Sequence, residues 1–191
     1  MAEALRTLVI GIGNPLMGDE GFGPRVVEYL LSRYSLPDDV SVVDAGTMGF
    51  TILNLFAEAD RILVVDALQG TGHDPGTLVR LSPEDMAPNQ IMHSLHDARL
   101  TDVLEAARLI GLEPEVTCIG VQVERITHWE LELSPVVEAA IPAACDAVVE
   151  LLRSWGVTLT ECADGTGEQA RIIAALRTKD SMPDGQRLPE G

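Results

Sequence analysis

The chain has 191 residues, 46% of them hydrophobic, enough for one domain with a substantial core and too apolar for a disordered polypeptide. A formal charge of −17 disfavours nucleic acid and anionic membrane surfaces as partners. No run reaches the roughly 18 apolar residues of a membrane span. Residues 1–6 lack a basic segment followed by an apolar core, so neither a signal peptide nor membrane insertion is expected, and a cytoplasmic location follows as the default.

The first apolar run, residues 8–13, reads as a buried strand that ends in a glycine turn. Asn14, Asp19 and Glu20 follow at what should be the start of a helix. Phosphate loops share this strand–turn–helix shape, but they do not place acids where the phosphate must sit. The dinucleotide fingerprint also fails, because Leu16 stands at its third glycine, and no Gly-Lys-Ser/Thr occurs here. A metal ion or proton transfer suits the acid pair better than a nucleotide.

Further runs at 40–45, 61–68, 77–81 and 116–123 read as strands, several of them apolar on both faces as strands covered by helices must be. Between them, Val26, Val27, Leu30, Leu31 and Tyr34 mark a first helix, with Pro24 tolerated in its opening turn. Ile52, Leu53 and Phe56 mark a short second helix. Leu100, Val103, Leu104 and Ala107 mark a third, capped by Ser94 and stopped by Gly111. Ser134 and Pro135 open a fourth helix that runs to Gly156, with Pro142 expected to kink it.

This alternation predicts a three-layer α/β/α sandwich on a five-stranded, mostly parallel sheet. Only the Gly-rich residues 69–76 separate the third and fourth strands, too few for a parallel crossover, so the fourth strand should run antiparallel. Residues 1–160 are expected to form the single domain, and 161–191 a polar, partly disordered tail.

Ligands of such folds gather beyond the carboxyl ends of the strands. There the sequence delivers Glu20 after the first strand, Asp44 from the second and Asp66 from the third, with His93 and His96 beginning the third helix. Asp66 closes a wholly apolar strand and is the strongest single signal, although a loop-capping role is open for it and more so for Asp44. At a helix N-terminus a histidine is held neutral and ready to bind metal, with His93 and His96 as competing candidates. One histidine and two carboxylates can hold a divalent transition metal and leave positions open. His73 and His128 lie in loops, and His128-Trp129 could touch a peptide partner. Three widely spaced cysteines without Cys-x-x-Cys support neither a zinc knuckle nor a redox motif. His-Glu-x-x-His and Gly-x-Ser-x-Gly are both absent.

The stretch Gly11-Ile12-Gly13-Asn14-Pro15-Leu16-Met17-Gly18-Asp19-Glu20-Gly21-Phe22-Gly23, followed by Asp44-Ala45-Gly46-Thr47, Val65-Asp66-Ala67, Ser94-Leu95-His96, Gly120-Val121-Gln122 and Leu133-Ser134-Pro135, resembles the hydrogenase maturation endopeptidases in order and spacing. The resemblance covers roughly the first 155 residues. It implies removal of the C-terminal extension from the large-subunit precursor of a nickel–iron hydrogenase. It also implies that Glu20, Asp66 and His96 are the catalytic and metal-binding positions, engaging nickel already loaded in the precursor; other divalent metals could occupy the same site. A non-enzymatic nickel-sensing or carrier protein would use the same ligands, and peptide cleavage separates the two. Val123 stands after Gln122 where the family commonly has proline.

Overall fold

A computed structural model of the chain describes residues 5–86, 92 and 93, and 100–162. In chain order its elements are β1 (Thr7–Ile12), a 3-10 turn (Gly18–Gly21), α1 (Phe22–Arg33), β2 (Tyr34–Ser35), β3 (Val40–Gly46), a second 3-10 turn (Gly49–Ile52) and α2 (Leu53–Phe56). There follow β4 (Arg61–Gln69), β5 (Leu78–Leu81), α3 (Pro83–Met86), β6 (Met92–His93), α4 (Leu100–Leu109), β7 (Glu115–Gln122), α5 (Pro135–Glu138), α6 (Ile141–Ser154) and β8 (Thr160–Glu161).

The main sheet has the order β3-β1-β4-β7-β5, and β6 adds a short antiparallel pair to the end of β4. β1, β3, β4 and β7 run parallel, whereas β5 pairs antiparallel with β7. The short link after β4 therefore reverses the chain as expected. It carries β5 past the slot beside β4, which β7 fills, to the sheet edge. That displacement is two strand spacings, roughly 10 Å, within easy reach of residues 70–77.

β4 is the spine of the core, and its side chains alternate between two apolar layers. Leu63, Val65 and Ala67 pack with Phe22, Val26 and Leu30 of α1 and Ala144, Val148 and Leu152 of α6. Ile62 and Val64 pack with Ile52 and Phe56 beside α2, and with Leu100, Val103 and Ala107 of α4. This is the α/β/α sandwich expected, with β4 buried on both faces as its unbroken apolar run requires.

Glycine sets how closely α1 can approach the sheet. A Cβ on Gly23 would lie 2.5 Å from the Val65 carbonyl oxygen and closer still to that of Ile12. The opening of α1 thus rests directly on the backbones of β1 and β4.

The expected fourth helix is two helices. Pro142 is the second residue of α6, where the missing N–H has no intrahelical partner to lose, so the proline opens a helix instead of kinking one. Two further strands had no sequence signal. β2 pairs antiparallel with β8, and the Cys162 N–H donates to the Arg33 carbonyl at 2.7 Å, fastening Glu161 and Cys162 to the end of α1. The other residues assigned to the tail, and the Ser94 cap of the third helix, lie outside the described residues.

Candidate functional site

Asp66 is the sixth residue of β4, in register with Gly120 of β7. Strand alternation puts it on the face of Ile62 and Val64. It is 1% exposed, and its Oδ1 accepts the N–H of Ala67 at 2.8 Å. The charge is felt nearby: the Cys118 thiol is pushed well above its ordinary value, first by burial and then by Asp66.

Glu20 reaches the same edge by another route. β1 is followed by Gly13, whose φ of 143° few side chains tolerate and whose Cβ would collide with the Glu20 carbonyl. The turn Gly18–Gly21 is thereby laid across the strand ends and packs against β4. Glu20 is fully buried there. Two carboxylates from separate segments, one after β1 and one on β4, thus sit in the interior at the carboxyl end of neighbouring strands.

The acid pair Asp19-Glu20 divides its labour. Asp19 Oδ1 accepts the backbone N–H of Ser134 at 2.6 Å, and Oδ2 accepts the Ser134 hydroxyl at 2.9 Å. Ser134 precedes α5 but makes no side-chain cap of its own helix. The Gly18 N–H donates to the Glu130 carbonyl at 2.7 Å. The loop before α5 is therefore bound to the turn that carries Glu20.

Asn14 and Asp44 shape loops. Asn14 Oδ1 accepts the Leu16 N–H at 3.0 Å, and Asp44 Oδ1 accepts the Gly46 N–H at 2.9 Å. Asp44 is exposed, which settles the choice left open for it in favour of capping. His73 and His128 are exposed.

His93 belongs to β6, its backbone in register with Leu68, two residues past Asp66. A place in a strand, not at a helix N-cap, replaces the expected setting for it. His96 lies outside the described residues. Among the described residues no three His, Cys, Asp or Glu side chains gather in metal-binding geometry.

Sequence reasoning assigned no role to Gln122, and the structure supplies one. It is 8% exposed at the carboxyl end of β7. Its Oε1 accepts the Thr71 N–H at 2.9 Å and the Thr71 hydroxyl, while its Nε2 donates to the Val123 carbonyl at 2.6 Å. Its backbone carbonyl takes the Gly76 N–H at 2.8 Å. One side chain and its own backbone thus pin both ends of the link after β4. A buried amide in an otherwise apolar strand was the available signal.

The sequence model of the family described as HycI, hydrogenase maturation protease, matches residues 24–151. The chain belongs to the hydrogenase maturation protease family. It is 38% identical over 173 residues to the hydrogenase expression/formation protein HupD of Bradyrhizobium diazoefficiens, covering 88% of this chain and 89% of that one. It is 40% identical over 157 residues to the hydrogenase 2 maturation protease of Escherichia coli, covering 80% and 94%. Among solved structures, the maturating endopeptidase HybD of E. coli superposes with a TM-score of 0.73 at 36% identity, over 82% of this chain and 98% of that one. The fold is therefore that of a maturation protease. A carrier or sensor role is not favoured.

Proposed function

We propose that this protease removes the C-terminal extension of a nickel–iron hydrogenase large-subunit precursor, and that nickel held by the precursor docks against Glu20, Asp66 and His96. One observation carries the reading: two carboxylates are buried at one edge of the sheet of a hydrogenase maturation protease. A divalent cation is a strong partner for buried carboxylates. Carboxylate oxygens with one imidazole suit such a cation and leave positions for the precursor's own ligands. In this reading the metal belongs to the substrate, and its arrival completes the site.

The chemistry is hydrolysis of one peptide bond. Water gives a proton to a carboxylate at this edge, its oxygen adds to the carbonyl carbon, the C–N bond breaks and the amine departs with the proton.

The test is incubation with nickel-loaded and nickel-free precursor, read by the mass of the large subunit. The loaded precursor should shorten and the nickel-free one persist. Equal cleavage of both would remove nickel from the reading while leaving the protease; cleavage of neither would remove the substrate.

A further inference from the structure

One groove borders the Glu20 turn and has no part in the mechanism above. It encloses about 880 Å³ between α1 and the segment 125–141. That is the upper end of small-molecule sites, and the groove is open along one side, which suits a stretch of polypeptide better than a compact ligand. Three contacts join it to the site. The Gly18 N–H donates to the Glu130 carbonyl, Asp19 holds Ser134, and the Leu133 side chain lies 3.8 Å from where a Cβ of Gly21 would be. A chain lying in the groove therefore leads to the residues on either side of Glu20.

The lining is acidic. Glu28, Glu130, Glu132 and Glu138 face Arg25 and Arg125, and Arg25 already meets Glu28 at 3.6 Å. Negative charge is left over, so the fitting occupant is cationic. Next in the chain to the lining residue Glu130, Trp129 is 89% exposed and is held at φ 63°, the only non-glycine residue with positive φ among the described residues. Met17 bridges Glu130 in parallel, so Leu16, itself 48% exposed, lies level with Trp129. A large exposed apolar pair beside an acidic channel is a surface for a chain that is both basic and apolar.

We propose that this groove binds the C-terminal extension of the hydrogenase precursor through basic residues of that extension, with Leu16 and Trp129 gripping its apolar part. The inference rests on the precursor-processing reading and names the part of the precursor that the groove takes.

The experiment is cleavage of nickel-loaded precursor by wild type, by the double variant E132Q/E138Q and by Trp129→Ala, each at low and at raised salt. All three substituted positions are exposed, so folding is retained, and thermal melting checks this. In the double variant KM should rise by about fivefold at low salt, with the loss in KM and not in kcat, and the salt dependence of kcat/KM should flatten. Trp129→Ala should raise KM at either salt. A precursor whose extension has its Lys and Arg replaced by Gln should lose the same factor with wild type and be indifferent to E132Q/E138Q. Wild-type KM and salt slope in all variants would overturn the groove. So would dependence on basic residues in the precursor's folded body in place of the extension. Failure of wild type to cleave the loaded precursor would instead overturn the underlying reading.

Discussion

Asp19 and Glu20 are adjacent in sequence and both buried, yet they do different things. Asp19 spends both oxygens on Ser134, 115 positions away, and so fixes the loop before α5. Glu20 is fully buried where the turn packs against β4. Asp19→Ala should therefore cost about 1 kcal/mol, because the part-buried N–H and hydroxyl of Ser134 are left without their acceptor, and processing should fall as the turn loosens. Chemical denaturation and precursor cleavage would read the two losses together. Asp66→Asn should separate them. The amide keeps the shape and can still accept the Ala67 N–H, while removing a buried negative charge. Processing should be abolished with a melting temperature within a few degrees of wild type. Unfolding of this variant would make Asp66 a structural residue. By the family resemblance His96→Ala should behave like Asp66→Asn and His93→Ala should retain activity; the reverse would exchange their roles.

At the scale of elements, the site depends on backbone contacts that only glycine allows. Gly23 has no room for a Cβ against the carbonyl oxygens of Ile12 and Val65, neither of which can move without displacing β1 or β4. Gly23→Ala should destabilise the fold by about 3 kcal/mol or more, and a melt of that variant beside wild type would show it. Gly11 and Gly13, read first as a turn, are part of the same close approach. Much of this was legible. Asp66 stood out because a charged residue closed an apolar run, and the direction of β5 followed from the length of one link. Apart from Gln122, what escaped had no local signal. β2, β6 and β8 are two residues each, too short for periodicity. The break between α5 and α6 could not be told from a proline kink, since a proline near a helix start and one inside a helix carry the same apolar stripe. The Asp19–Ser134 and Gln122–Thr71 bonds join residues far apart in sequence, where pattern carries no information about contact.

Across the whole molecule, the three thiols report on separate parts of the fold. Cys145 lies in the apolar layer of α1 and α6, Cys118 in the layer of α2 and α4, and the partly exposed Cys162 beside the ribbon of β2 and β8. Burial pushes the Cys145 thiol up to about 12, and Cys118 is raised well above its ordinary value. Tyr34 is raised as well, by burial and then by Glu161. In the unfolded chain these groups ionise at ordinary values, so above about pH 9 the unfolded state binds fewer protons than the folded one. Their contribution is fully present below pH 9 and is lost as pH rises toward 12. Stability should therefore decline progressively across that window, and the surface charge of an already acidic chain will add to the decline. Cys145→Ala should flatten the decline without removing it, because Cys118 and Tyr34 still titrate. Urea denaturation of wild type and Cys145→Ala at pH 8, 9.5 and 10.5 reads both slopes. A thiol reagent at pH 8 should label Cys162 first, with Cys118 and Cys145 reacting only on unfolding. Equal alkaline slopes in the two proteins, or early labelling of Cys145, would mean that the α6 layer opens to solvent in the native state.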